Sequence, residues 1–245
     1  LNLGKFIKDN TLCSLISAYQ CMLPSSMKVK TIKSNYQKYN EYIIIKDKNK
    51  ALEYVNNNKR ASKQIELINR LLNNEIILKN EYNREIVNKL IDLNIIMINK
   101  EIKYRINKES NNNKFKLTKK QEQISNLVQK SFDKQEAFLL YGITGSGKTE
   151  VYMDLIEKVI TKGKNAIMLV PEISLTTQIV DRFYQRFGNK VAIFHSALSE
   201  GEKYDEYHKV LNGDVKIVVG TRSAIFVPFD NIGIIIIDEE QSSNY

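Results

Sequence analysis

GITGSGKT, Gly142–Thr149, is the stretch on which the reading of this chain turns. A glycine, four residues and then Gly-Lys-Thr is the spacing of a phosphate-binding loop between a strand and a helix. The flanks supply that context, since Phe138–Leu140 reads as a strand and the residues from Glu150 read as a helix. Glycines let the backbone curl until successive N–H groups face one anion at a helix N-terminus. Gly142, Thr144, Gly145, Ser146, Gly147, Lys148 and Thr149 are therefore candidate ATP-binding residues. Lys148 is placed to reach the β- and γ-phosphates, and Thr149 to set its hydroxyl on Mg2+.

Around this loop the chain has one style. AFLLYG, AIMLVP, VAIFHS, KIVVGT and GIIIID alternate with helical stretches from about Phe115 onward. Each run is continuously apolar, as a parallel strand covered on both faces must be. That makes the fold class α/β, with ligands expected at the carboxyl ends of the strands. The last run, Ile234–Ile237, delivers Asp238, Glu239 and Glu240 to such an end. Beside a phosphate loop, Asp238 is the candidate Mg2+ carboxylate, and Glu239 is placed to orient or deprotonate an attacking water. Lys148, Asp238 and Glu239 are the candidate catalytic set. His195 ends the VAIFHS run without a nearby nucleophile, which favours a structural or nucleic-acid-side role over a catalytic one.

The upstream half reads differently. Residues 1–28 place Leu3, Phe6, Ile7, Leu12, Leu15, Ile16 and Tyr19 at helical spacing, ending at Pro24. Residues 29–58 are basic and Tyr-rich, with a strand at Tyr42–Ile45 and a loop at Asn56, Asn57 and Asn58. SKQIELINRLL sets Ile65, Ile68, Leu71 and Leu72 on one helical face, and NREIVNKLIDLN repeats the pattern with Ile86, Leu90 and Leu93. IIMINKEIKYRI alternates on either side of Asn99-Lys100, as a β-hairpin would. Helices followed by a hairpin outline a winged helix, which either docks on DNA or only packs. Asn111, Asn112 and Asn113 read as a linker. The expected division is 1–55, 56–110 and 111–245.

Composition bounds the alternatives. With 42% hydrophobic and 27% charged residues the chain is an ordinary globular protein, long enough for one large or two smaller cores. No apolar run reaches the ~18 residues of a membrane span, and no basic-then-apolar leader stands ahead of Leu1. Cys13 and Cys21 are too sparse for a zinc site or a disulfide framework, which points to buried thiols in a reduced, cytoplasmic setting. Residues 1–134 hold 26 Lys and Arg against 13 Asp and Glu, whereas 135–245 hold 11 against 15. The basic half suits a polyanion partner or a merely solvated Lys- and Asn-rich surface.

GITGSGKTEVYMDLIEKVI, LVPEISLTTQ, FHSALSEGEK and IVVGTRSAIFVPFDNIGIIIIDEEQSSNY together resemble the first motor lobe of the primosomal protein N′ (PriA) family. That family comprises superfamily 2 DNA helicases of replication restart. The resemblance runs from about Leu117 to the end. It implies a RecA-like lobe over 111–245, preceded by a winged-helix-like domain and the tail of a DNA-binding domain. It also implies ATP and Mg2+ as cofactors, and single-stranded and forked DNA with replication-restart proteins as partners. Gln121 in LTKKQ becomes a candidate adenine reader, or simply an exposed helix-start glutamine. Pro171, Glu172, Thr221, Arg222 and Ser223 fall in motifs similar to those that hold single-stranded DNA, with an internal ion pair as the alternative for Arg222. The family ends its acidic motif in His where this chain has Gln241, a position implied to couple the nucleotide and DNA sites. The zinc of the full-length family would need closely spaced cysteines that this sequence does not contain. The resemblance places a second lobe with an arginine finger outside this sequence, so the 245 residues alone are expected to bind nucleotide weakly and barely hydrolyse it. A nucleotide-regulated DNA-binding scaffold and a different superfamily 2 translocase are the competing readings.

Overall fold

The computed structural model describes residues 2–23, 27, 36–108, 110–111, 116–143, 145–172 and 175–242. Two compact units form, one from residues 37–103 and one from residues 1–36 together with 104–245. The second unit opens with α1 (Asn2–Asn10) and α2 (Leu15–Met22). Between them the side chains of Asn10 and Thr11 donate back to the carbonyls of Phe6 and Ile7, and Ser14 accepts from the Ser17 N–H to start α2. Pro24 lies outside the described residues.

In residues 37–103, β1 (Lys38–Ile45) leads into α3 (Lys48–Asn57), which Asp47 caps by accepting from the N–H groups of Asn49 and Lys50. That cap is the signal for a helix where the sequence reads as a basic, irregular stretch. α4 (Ser62–Leu72), β2 (Ile77–Leu78), α5 (Arg84–Asp92) and β3 (Ile96–Lys103) follow. Leu67, Ile68 and Leu71 of α4 and Val87 and Leu90 of α5 close on Ile43, Ile77 and Ile96. The apolar faces therefore form, but Leu93 caps α5 and is 44% exposed.

The hairpin expected at Asn99-Lys100 does not form. β3 runs unbroken and antiparallel to β1, with Tyr42 opposite Asn99 and Glu41 opposite Lys100. Glu41 holds Lys100 at 3.2 Å and Lys79 at 2.5 Å, which favours this register over a local turn. Because β1 is the middle strand of the order β2-β1-β3, the unit begins at Gln37, upstream of residue 56.

Within the second unit, Tyr104, Arg105 and Asn111 hold the segment ahead of α6. The Tyr104 hydroxyl donates to Asp214 at 2.6 Å, Arg105 clasps Asp205 at 2.7 Å, and the Asn111 N–H donates to the Gln185 carbonyl at 2.9 Å. Asn112, Asn113 and Phe115 lie outside the described residues. Then come α6 (Lys119–Gln129), α7 (Lys148–Thr161), β4 (Asn165–Leu169), α8 (Thr177–Phe187), β5 (Val191–Phe194), α9 (Glu200–Leu211), β6 (Ile217–Gly220) and β7 (Ile232–Ile237). The four strands pair in parallel in the order β5-β6-β4-β7.

Strand alternation splits the core. Ala166 and Met168 face Tyr152, Ile156 and Phe183 of α7 and α8, whereas Ile167 and Leu169 lie in a second cluster with Tyr207 and Val210 of α9. Both faces are covered over β4, β5 and β6, as their continuous apolar runs imply, but at the edge strand β7 Ile232, Ile235 and Ile237 are 42%, 46% and 49% exposed. Phe138–Leu140 is an exception: it joins no strand, and Phe138 and Leu139 are 46% and 76% exposed. An apolar run identifies a segment that can pair, not the partner it pairs with. No helix of the described residues is long and apolar enough to cross a membrane.

Candidate active site

The loop ahead of α7 is built by its glycines. Gly145 and Gly147 hold φ +79° and +82°, which L side chains adopt only under strain. A Cβ at Gly147 would also lie 2.4 Å from the Gln121 amide nitrogen. Gly147 is the N-cap of α7 and provides no capping side chain, so α7 starts with backbone donors that an anion can take. Lys148 folds back, donating to the carbonyls of Gly142 at 2.6 Å and Ile143 at 3.3 Å. Thr144 lies outside the described residues.

Gln121 sits at the start of α6, where its carbonyl oxygen accepts from the Thr118 N–H at 2.9 Å and the Thr118 hydroxyl at 3.0 Å. Its amide donates to the Gly147 carbonyl at 3.3 Å. The helix-start glutamine thus ties α6 to the phosphate loop.

Parallel register aligns the strand ends. Leu169 lies opposite Gly220 on one side and Ile237 on the other, and Phe194 lies opposite Gly220. The residues that follow these ends share one rim: Pro171 and Glu172, His195, Thr221 to Ser223, and Asp238. The Asp238 N–H donates to the Leu169 carbonyl at 2.9 Å, continuing the ladder one step beyond β7. Glu239 then turns away at φ +52°, and its carbonyl accepts from the Ser242 N–H at 2.8 Å. A non-glycine residue in this left-handed region is uncommon and marks an imposed turn. Glu239, Glu240 and Gln241 are exposed, whereas Asp238 is half-buried.

Burial and then the Glu239 charge push the Asp238 carboxyl above its usual range, while a Tyr152 hydrogen bond and the Lys148 ammonium pull it partly back. Tyr152 escaped the sequence reading, although its place four residues after Lys148 puts both on one face of α7. A carboxyl raised in the folded state favours folding in acid and loses that contribution as pH climbs through the ordinary range to its raised value. Asp238→Asn has no charge to bury, so it is expected to raise the melting temperature of the metal-free protein by about 1–3 °C at neutral pH. The gain vanishes in acid. Thermal melts in EDTA across pH check this, and a lower melting temperature at neutral pH contradicts it.

A cavity of about 370 Å3 opens along the rim, with Glu172, His195, Thr221, Arg222 and Ser223 in its wall beside Cys21 of α2. Arg222 is exposed and makes no ion pair among the described residues. Pro171 is buried and stands apart from this wall; its carbonyl accepts from the Leu175 N–H. Gly220 lets β6 run close to β5, since a Cβ there would lie 2.6 Å from the Phe194 carbonyl oxygen. The sequence reading also missed Glu150, in the first turn of α7, which pairs with Arg182 and with Arg186, the latter at 3.4 Å, on α8. Among the described residues no group of three or more His, Cys, Asp and Glu is arranged to hold a metal ion.

The family described as "Type III restriction enzyme, res subunit" matches residues 114–245, more than half of the chain. The chain belongs to that family. It is 63% identical over 113 residues to replication restart protein PriA of Bacillus subtilis (strain 168), covering 46% of this chain and 14% of that protein. Replication restart protein PriA of a Synechocystis species is 57% identical over 107 residues, 44% of this chain and 13% of that protein. For the protein of the same name in Rickettsia felis the figures are 38% over 141 residues, 58% and 22%. The chain spans less than a quarter of the length of each of these relatives. Family membership and the parallel sheet agree on a RecA-like helicase lobe.

Proposed function

We propose that this chain carries the nucleotide-binding lobe of an ATP-dependent DNA helicase of replication restart, which couples ATP hydrolysis to movement along single-stranded DNA. The observation that carries this reading is the shared register. Through β4, the Asp238 end of β7 and the Thr221 end of β6 stand level on adjoining ladders. Displacement of one strand end by a nucleotide is then felt by the segment that would hold DNA.

In this reading Lys148 leaves the carbonyls of Gly142 and Ile143 and binds the β- and γ-phosphates, and the N–H groups at the start of α7 cradle them. Thr149 and Asp238 would hold Mg2+. They fit it: both offer hard oxygens, Mg2+ keeps several of its own waters and so needs few protein ligands, and a cation would favour the ionised form of Asp238 that burial opposes. Bound there, the ion would neutralise charge on the phosphates. Glu239 orients the attacking water and accepts its proton. Gln121 exchanges its Thr118 partners for the edge of adenine, while Gly142, Thr144, Gly145, Ser146 and Gly147 shape the loop. Thr221, Arg222, Ser223 and Glu172 line the path of the single strand, Pro171 shapes the turn behind it, and Gln241 couples the two sites. Residues 37–103 act as a winged-helix variant. Two helices, α4 and α5, packed beside the small antiparallel sheet β2-β1-β3 support that reading. Forked DNA and replication-restart proteins are the partners, and the cytoplasm is the setting.

The test is single-stranded DNA binding by fluorescence anisotropy. Arg222→Glu is expected to weaken it about 10-fold at moderate salt and to flatten the log–log salt dependence by roughly 0.7. Wild-type-like binding by this variant removes Arg222 from the path. Absence of any single-strand binding by the parent chain counts against the helicase reading itself.

A further inference from the structure

We propose that Tyr152 is a positioning residue of the nucleotide site: its hydroxyl holds the Asp238 carboxylate in the orientation that binds Mg2+, tying the metal ligand to the phosphate-loop helix. The contact follows from two periodicities. Lys148, Tyr152 and Ile156 recur every four residues on one face of α7, and the rings and branches of Tyr152 and Ile156 are buried with Met168 and Phe183. On β7, Ile234 and Ile236 pack against the same cluster, whereas Ile235 and Ile237 point to the other side and are exposed. The Asp238 N–H continues the ladder to the Leu169 carbonyl, so the alternation of the strand carries one step further. Asp238 therefore turns toward α7 behind Ile236, and the Tyr152 hydroxyl donates to it there.

A ring on the buried face of a helix needs no function to explain it, but the placing of this hydroxyl does. Tyr184 of α8 lies in the same apolar cluster, and its hydroxyl is buried with no hydrogen-bond partner among the described residues. Tyr152 instead delivers its hydroxyl to a carboxylate at the strand-end rim. An aspartate has two oxygens and two rotatable side-chain bonds. A donor fixed by a buried ring takes one oxygen, stops the rotation and leaves the other oxygen for a cation. Lys148 stands one turn earlier on the same helix face. One helix thus holds both the phosphate contact and the partner of the metal ligand, so nucleotide and Mg2+ are captured together.

The proposal rests on the reading of Thr149 and Asp238 as Mg2+ ligands. Its test is the Mg2+ dependence with which the whole chain binds a fluorescent ATP analogue, and circular dichroism melts verify folding. Tyr152→Phe keeps the ring in the core and removes only the hydroxyl. It is expected to raise the Mg2+ concentration for half-maximal enhancement by about 10-fold or more, with affinity in EDTA within about 2-fold of the parent. Tyr184→Phe makes the same chemical change in the same cluster and is expected to move neither quantity. In an Asp238→Asn background, Tyr152→Phe is expected to have no further effect on the Mg2+ dependence, because the hydroxyl acts through that carboxylate. Parent-like Mg2+ dependence in Tyr152→Phe overturns the positioning role and leaves the Mg2+ reading standing. An equal shift in Tyr184→Phe, or effects of Tyr152→Phe and Asp238→Asn that simply add, also overturns it. If binding by the parent chain does not respond to Mg2+, both the role and the reading fall.

Discussion

Lys148→Ala is expected to lower the affinity of the chain for Mg-ATP by about 10- to 150-fold, equivalent to losing one charge-assisted hydrogen bond of about 1.5–3 kcal/mol. The ammonium now rests on the carbonyls of Gly142 and Ile143. Those bonds hold the side chain inside the curl of the loop, at the position a phosphate would take beside the uncapped start of α7. Exchange of two neutral carbonyls for anionic phosphate oxygens favours the bound state. Alanine retains the backbone donors, so residual binding through the helix N-terminus survives. In any protein that also carries the rest of the motor, turnover should fall on the order of 10²–10³, the usual cost of one donor aimed at developing charge. The fold should not respond: alanine is the better helix former, and the melting temperature should move by no more than about 2 °C. Titration with a fluorescent ATP analogue measures the first effect. Unchanged affinity in a folded variant would remove the nucleotide assignment from this loop.

The assignment rests on features that are local in the chain, and those were legible. AIMLV, VAIF and KIVVG became β4 to β6 because a strand buried on both faces has no choice but to be apolar throughout, whereas IIII became the edge strand β7 with Ile235 and Ile237 exposed. GITGSGKT became the α7 cradle because positive φ at two positions needs glycine wherever it falls. Long-range pairing was not legible. Asn99-Lys100 has turn chemistry, yet Lys100 serves as a cross-strand partner of Glu41, almost sixty residues earlier in the chain. Phe138–Leu140 has strand composition, yet among the described residues it pairs with no strand. The carboxylates of the site were legible for the same local reason, as acids ending an apolar strand. Tyr152, which hydrogen-bonds Asp238, was not, because an aromatic on the buried face of a helix looks like core. Ion pairs between α7 and α8 leave no trace in periodicity either, since Glu150 and Arg186 are each ordinary helix residues until packing buries them.

The same blindness to buried charge hides the pair on which the stability of the α/β unit depends most sharply. Glu206 of α9 is fully buried; one carboxylate oxygen accepts from the Ile193 N–H of β5 at 2.9 Å and the other from Lys209 at 2.6 Å. Lys209 also donates to the Ile106 carbonyl at 2.6 Å, which ties in the segment entering the unit. Glu206→Ala is expected to destabilise the fold by about 3–5 kcal/mol, because it strands a buried ammonium and leaves the Ile193 N–H unpaired. Lys209→Met should cost less, for a reason visible in the titration of its partner. Burial pushes the Glu206 carboxyl up, and Lys209 is what pulls it back. Without Lys209 the carboxyl protonates, becomes neutral and still accepts from Ile193. A carboxyl whose folded pKa is raised stabilises the fold in acid and loses that contribution as pH rises through the unfolded value toward the folded one. Lys209→Met should therefore be nearest the parent in mild acid and fall progressively behind as pH approaches and passes neutral, while Glu206→Ala shows no such recovery in acid. Urea unfolding at a series of pH values measures both. Parallel losses for the two variants at every pH would mean that Lys209, not the carboxyl, supports the joint between α9 and β5.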